Sequence, residues 1–383
     1  AEIGDLFYQE YPENDTDCVL PTTLVLLADG TTKIIRDIVS ERYNGQVLTI
    51  ESDGSLGKRS IMGWHRSPRR GRRLYKLSYC YGKNTCRGMN GKAIITEDHK
   101  VLTRRGWIEA KDLVNGELIA TGTPSPKERA EQLIIGTTLG DSHIGKRRKL
   151  SVSHSIHHWT EVKARLLNGF SPTVTTTPKH GYKLMYTKPY PYFAWLREQF
   201  YPSGIKRVNK ELVSKITDFG IAVWFLDDGC TAKMGHIECR PRAEIAVGVL
   251  PREDVEWLCQ LLTFRGYDCK PMPHNRKYLK IQFTTDSTER LLKSIARYVP
   301  TDMRYKLING YDDYEPEWYE PEATNTFWSK VEVEEIPIPM QKGRWDKFNL
   351  LYCIDVEETH NFVTLGGTVH NCWLLSEISV FDG

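Results

Sequence analysis

The sequence has no run of about eighteen apolar residues, the length a membrane-spanning helix requires, and its acidic start, Glu2 to Asp17, reads as no secretory signal. The expectation is a soluble, cytoplasmic chain in a prokaryotic or phage-infected cell. It also lacks a strong charge excess. The net value is +3 over 383 residues, so bulk charge alone does not announce a nucleic-acid partner. A cysteine framework is missing too. Nine cysteines are scattered along the chain and only Cys80 and Cys86 stand close. That pair is either a hairpin disulfide or a coincidence, and no second close pair completes four zinc ligands. What the chain does have is length and 40% hydrophobic content, enough for two cores.

Three distant segments carry reactive residues in a telling order. Cys18 opens Cys18-Val-Leu-Pro-Thr-Thr-Leu-Val-Leu; Thr96-Glu97-Asp98-His99 follows; the far end holds Leu351-Tyr-Cys-Ile-Asp-Val-Glu-Glu-Thr-His-Asn-Phe-Val363 and then Val369-His370-Asn371-Cys372. Breaking a peptide bond without water needs an internal nucleophile, and a cysteine thiol serves best near neutral pH. Attack by Cys18 on the Asp17 carbonyl would turn the amide into a thioester. That shift runs uphill unless the amide is distorted or its nitrogen protonated, which a Thr and a His three apart on one loop can supply. Thr96 and His99 take those roles. Cys372 would then accept the acyl group. The Asn371 side-chain amide can reach its own main-chain carbonyl and close a succinimide, with His370 and His360 as candidates for the proton transfers.

These segments, in this order, resemble the splicing blocks of an intein, a protein that excises itself and joins its flanks. The resemblance implies catalytic roles for Cys18, Thr96, His99, His360, His370, Asn371 and Cys372. It adds Cys353, which stands where the family carries an Asp or Cys that couples the two cleavages. Joining residue 17 to residue 372 gives a short string similar to a segment of phage terminase large subunits, the implied host. A simple terminase fragment is excluded as a reading, because the tails are too short to fold.

From Cys18 to about Ala120 the chain reads as short strands broken by Asp29-Gly30 and Asp53-Gly54 turns. This matches the all-β horseshoe shared by Hedgehog autoprocessing domains and inteins. The five arginines of Arg66 to Arg73 are either a DNA contact or a solvated loop. Composition shifts at Thr121-Gly-Thr-Pro-Ser-Pro126, where Ser125 and Glu128 spell a capping box with Pro126 at the first helical position. Beyond it lie Leu133-Ile-Ile-Gly-Thr-Thr-Leu-Gly-Asp-Ser142 and Ile221-Ala-Val-Trp-Phe-Leu-Asp-Asp-Gly229, two apolar helical turns with small residues, each ending on an Asp. They resemble the paired motif of LAGLIDADG homing endonucleases, and the family likeness covers roughly 127–310.

That resemblance implies an α+β domain of two pseudo-symmetric αββαββα halves. Two helices cross closely on their small residues and bring Asp141 and Asp228 to shared Mg²⁺ ions. DNA would be read by twisted sheets carrying Lys146 to Lys149, Lys179, Lys183, Arg240, Arg242, Arg276, Lys277 and Lys280. A catalytic lysine is implied as well, with Lys233 and Lys280 as candidates. The first motif departs from the pattern, since Ser142 stands where Gly is usual.

The expected layout is an N-extein segment 1–17, a splicing domain in two parts (18–122 and 313–371), a LAGLIDADG endonuclease domain 123–312, and a C-extein segment 372–383. The expected activities are autocatalytic splicing, needing no cofactor, and Mg²⁺-dependent double-strand cleavage of the intein-less host gene by a monomer. The alternative is a splicing-competent chain whose degenerate endonuclease only binds DNA.

Overall fold

The computed structural model describes residues 18–69, 71–79, 91–177, 181–232, 241–274, 278–308, 321–337 and 350–371. The chain divides into two compact units, one made of its two ends (through Ser125 and from Thr324), the other of Pro126–Ala323. Among the described residues no helix is long and apolar enough to cross a membrane. Asp17, Cys372, the rest of both tails, Cys80, Cys86, Lys179, Lys233, Arg240, Arg276 and Lys277 lie outside the described residues.

The first unit is built almost wholly of strands. Its turns follow from local chemistry: Asp29 and Asp53 side chains accept from Thr31 N at 2.8 Å and Ser55 N at 2.9 Å. Gly30 and Gly54 take the positive φ of +80° and +82° that such turns require. An eight-stranded sheet runs in the order Asn325–Lys330, Leu118–Ser125, Lys100–Thr103, Gly367–His370, Asn361–Thr364, Leu24–Leu26, Thr32–Ile34, with Gly106–Glu109 paired off this path to Lys100–Thr103. Two three-stranded sheets join Glu332–Glu335, Leu74–Tyr79 and Gly91–Thr96, and Leu350–Val356, Leu56–Pro68 and Gln46–Ile50. Val25, Ile95, Val101, Phe362 and Val369, drawn from five strands, meet in one buried core.

One sequence reading needs correction. The Thr-Pro-Ser stretch does not open a helix, because Ser125 sits in the sheet opposite Asn325 and cannot turn its side chain to a cap. The helix starts at Glu128 with Lys127 as its N-cap and no side-chain cap. Of the described arginines of the 66–73 cluster, Arg69, Arg72 and Arg73 lie in the loop between Leu56–Pro68 and Leu74–Tyr79. Arg66 lies within the strand Leu56–Pro68, and Arg73 pairs with Glu97 at 2.6 Å and Glu335 at 3.6 Å.

The second unit repeats one plan twice. Each repeat runs helix, two strands, helix, two strands, helix, beginning at Glu128–Leu139 and at Asp218–Asp228. Both four-stranded sheets order their strands first, second, fourth, third: Ser142–Ile144, Leu150–His154, Lys183–Tyr186, Thr173–Thr176, and Gly229–Ala232, Arg242–Ala246, Leu279–Phe283, Cys269–Pro273. The helix Asp218–Asp228 is capped by Thr217, whose hydroxyl accepts from Gly220 N at 3.5 Å, and it buries every residue from Gly220 to Asp227. An apolar run of that kind must be covered all round.

The two repeat-opening helices pack backbone to backbone. A Cβ at Gly136 would collide with the Gly220 carbonyl, and one at Gly140 would stand 2.6 Å from the Asp227 Cβ. Lys163, from the helix His157–Leu166, pairs with Asp227 beside this crossing, Nζ to Oδ1 at 2.6 Å with both side chains fully buried. A buried pair contributes little net stability, but removing one partner strands the other charge. Lys163→Met should therefore lower unfolding free energy by about 3–5 kcal/mol. The double variant Lys163→Met/Asp227→Asn should recover part of that loss. Urea midpoints check both, and a Lys163→Met midpoint equal to the parent's would show that the pair does not fix the crossing.

Candidate active sites in the two units

At the first site, one residue is paired on both sides. Val19 bridges Tyr352 and Ile95, with Val19 N and Tyr352 N donating to each other's carbonyls at 3.0 Å and Leu20 N donating to Ile94 O at 3.3 Å. Cys18 is thereby fed between the strand ends Gly91–Thr96 and Leu350–Val356. The Val19–Tyr352 register sets Cys353 opposite Cys18, and Cys18 is 1% and Cys353 0% exposed. Thr96 grips the Cys18 carbonyl with its backbone N at 3.4 Å and its hydroxyl at 3.2 Å. That carbonyl lies one peptide downstream of the Asp17–Cys18 amide, so the Thr96 contact is displaced from the one expected.

His99 is 0% exposed, and neither ring nitrogen has a hydrogen-bond partner among the described residues. Burial holds its pKa down to about 4, against the pull of Asp98 and of the nearby Cys18 and His370 backbones. A neutral ring thus faces both ends of the segment. At the far end, His370 Nδ1 stands 2.6 Å from the Asn371 carbonyl oxygen, the carbonyl of the bond to Cys372. His370 packs edge-on against Trp107 with ring centroids 5.0 Å apart, and burial lowers its pKa as well. Asn371 N donates to His360 O at 3.0 Å. With its amide turned to suit its surroundings, the Asn371 side chain donates to the same carbonyl at 2.5 Å and accepts from Val356 N at 3.1 Å. His360 itself sits at φ +50°, so it offers Asn371 its main-chain oxygen.

The second site lies where the two repeat-opening helices end. Lys206 Nζ donates to Leu139 O at 3.1 Å and Gly140 O at 3.2 Å. Lys306 Nζ donates to Leu226 O at 2.6 Å. Each cation closes a helix C-terminus, where orphan carbonyls and the dipole favour positive charge. Each also stands beside an acid. Asp141 is pushed up to about 6, first by burial and then by Asp227. Asp228 reaches about 7 through burial, then Asp141, then Asp227. Burial in turn lowers the amines of Lys206 and Lys306.

Metal-ligand atoms of Asp141, His154 and Asp227 fall within 4.8 Å of one another, yet these residues are not equivalent. Asp227 is already occupied: it accepts from Thr137 Oγ1 at 2.8 Å, Trp159 Nε1 at 2.8 Å, Lys163 Nζ at 2.6 Å and Asp141 N at 3.4 Å. His154 Nδ1 accepts from Ile156 N at 2.9 Å, which leaves the ring proton on Nε2, 3.8 Å from Asp141 Oδ2. His154 thus turns its N–H side toward Asp141, beyond hydrogen-bond distance. The acids still free for a cation are Asp141 and Asp228, which repel one another in a buried place. Hard carboxylates so placed suit Mg²⁺.

Sequence reasoning missed Lys206 and Lys306, which no motif spacing marks, and Asp227, which reads as one half of an Asp-Asp-Gly turn. Of the two lysines it offered, Lys280 is tied to Glu244 at 2.6 Å on the second sheet. On the sheets, Arg242 and Lys270 line one groove, and Lys146, Arg147 and Lys149 line another with Ser151 and Tyr186. Lys183 pairs with Glu161 at 3.6 Å.

The chain is 25% identical over 377 residues to a protein named Protein RecA from Mycolicibacterium fallax, covering 92% of this chain and 86% of that one. The terminase-like reading of the flanks finds no support in that name. Among solved structures, the homing endonuclease I-WcaI bound to its DNA recognition sequence is 22% identical, covering 48% of this chain and 87% of that chain, with TM-score 0.43. A DnaB intein from Synechocystis sp. PCC 6803 is 20% identical, covering 28% and 69%, with TM-score 0.24. The span that contains Asp141, His154, Lys163, Asp227 and Asp228 matches the LAGLIDADG DNA endonuclease family, over residues 131–291.

Proposed function

We propose that the chain is a self-splicing intein, excising residues 18–371 and joining Asp17 to Cys372, with a Mg²⁺-dependent homing endonuclease in its second unit. The observation that carries the splicing half is the meeting of Cys18, Thr96, His99, His370 and Asn371, brought from both ends of the chain to one buried place. Cys18 Sγ attacks the Asp17 carbonyl carbon; the C–S bond forms, the C–N bond breaks, and the thiol proton ends on the released amine. Neutral His99 donates toward the junction, and Thr96 fixes Cys18 by its carbonyl. Cys372 takes the acyl group by thioester exchange. Asn371 Nδ2 then attacks the Asn371 carbonyl, which His370 Nδ1–H polarises, closing the succinimide and freeing the Cys372 amine. That amine takes the acyl group from sulfur and completes the peptide bond.

In the second unit, Asp141 and Asp228 would hold Mg²⁺, which would supply water activation and charge stabilisation at the phosphodiester. Lys206 and Lys306 bring cations to the same place, where a scissile phosphate needs them. The two sheets take the duplex, reading base edges and phosphates with residues such as Arg242 and Lys270. One observation favours the alternative of a DNA-binding, non-cleaving insert: Ser142 follows Asp141 where the second motif has Gly229.

Intact mass of the expressed chain should show a 354-residue species (18–371) and the joined flanks, both absent from Cys18→Ala. Persistence of the parent precursor after warming and reduction would refute splicing. A duplex carrying the gene with the coding segment for 18–371 deleted should be cut with Mg²⁺ by the parent and not by Asp228→Asn. Retention without cutting in a gel shift would select the binding-only reading.

His99 sets a pH signature. Its folded pKa, about 4, lies below the usual 6.5 or so, so the unfolded chain binds the extra proton first and stability is lost as pH falls from about 6.5 toward 4. The His99-dependent loss should reach roughly 3 kcal/mol. It is read as the difference in urea midpoints between Cys18→Ala and Cys18→Ala/His99→Gln at pH 7 and pH 4.5. Identical pH responses in the two chains would exclude a buried neutral His99.

A further inference from the structure

Beside the Cys18 sulfur stands a hydroxyl that none of the roles above uses. Ser67 Oγ lies 3.4 Å from Cys18 Sγ, both buried. Arg72 Nη2 donates to that same Ser67 oxygen at 3.4 Å, and Arg72 Nη1 lies 3.6 Å from Asp98 Oδ2. Ser67 is on the strand Leu56–Pro68, opposite Leu351, two residues from the His65–Cys353 pair. Asp98 belongs to the Thr96–His99 segment, and its other oxygen, Oδ1, has no partner among the described residues.

A guanidinium only donates, so Ser67 Oγ accepts from Arg72. Its own proton can be given to the Cys18 sulfur 3.4 Å away. A hydroxyl donated to sulfur favours thiolate over thiol, and a cation held behind the hydroxyl strengthens that preference. We propose that Ser67 and Arg72 are positioning residues that prepare Cys18 as the nucleophile, with Asp98 orienting the arginine. This rests on the splicing reading. It gives Asp98 two tasks, since the same carboxylate also acts on His99.

Other titratable groups lie on the elements that neighbour Cys18. His99 and Asp98 come from the segment after Gly91–Thr96, Cys353 and Asp355 from Leu350–Val356, His65 from Leu56–Pro68, and His370 from Gly367–His370. His65 Nε2 is committed to Asp355 at 2.6 Å. The competing account is that Arg72 only closes its own turn, since it also donates to Pro68 O at 3.3 Å and Arg69 O at 3.4 Å. A turn-closing arginine would not move the ionisation of Cys18.

The test uses the full chain with Asn371→Ala, which halts the reaction after acyl transfer, and reads thiol-induced N-terminal cleavage by mass from pH 5 to 9 with excess dithiothreitol. Ser67→Ala should move the midpoint of the acid limb up by about one pH unit and slow cleavage at pH 7 about tenfold. Arg72→Gln should do the same; Ser67→Thr, which keeps the hydroxyl, and Arg72→Lys, which keeps the charge, should restore most of it. An unmoved midpoint in Ser67→Ala and Arg72→Gln, whatever the rate, overturns the proposal in favour of the turn-closing role. No cleavage by the parent at any pH is a different failure: it removes the splicing reading, and this proposal with it. Urea midpoints of the four variants separate misfolding from lost chemistry, and Ser67→Thr keeps the test decisive if an alanine chain unfolds.

Discussion

The first site depends on the backbone of Val19, which is paired on both sides. A segment paired along one edge alone would be held by half as many backbone hydrogen bonds. Here the strands ending at Thr96 and running through Cys353 each take one edge of it, so residue 19 becomes a central strand position. Side chains alternate faces along a strand, and a slip of one residue would turn Cys18 away from Ser67 and Cys353. The pairing also buries the thiol and His99 together. The imidazole is neutral for that reason.

The second site depends on a different constraint, the closeness of two helices. Gly136 allows the Gly220 carbonyl to approach, and Gly140 leaves room for Asp227. The two helices are therefore not equivalent where they end. One offers no side chain at the position where the other places a buried carboxylate, and Lys163, Trp159 and Thr137 saturate that carboxylate. The asymmetry leaves Asp141 with a negative neighbour it cannot escape, which is part of why its proton is held so firmly.

Much of this was legible in the sequence, for physical reasons. Strand segments around Asp29-Gly30 and Asp53-Gly54 announced themselves because turn residues impose local backbone geometry that tertiary context does not override. The motif helices did so because small residues spaced among apolar ones have few other uses. The residues that stayed hidden act across long separations. Ser67 reaches Cys18 over 49 positions and Lys306 reaches Leu226 over 80, and no local pattern distinguishes a serine on a strand or a lysine after a helix. The false capping box shows the reverse failure: Ser125 and Glu128 fit a local rule, but pairing with Asn325 claims the serine first.

That same pairing bears on how two units can share a chain. The second unit leaves the first after Ser125 and returns before Asn325, and those two residues are register partners. The insertion thus begins and ends on adjacent strands whose ladder is already closed. Holding its ends together costs the first unit little beyond the pairing it would make with a short turn. None of Cys18, Thr96, His99, His370 or Asn371 belongs to the second unit, and neither Asp141 nor Asp228 belongs to the first.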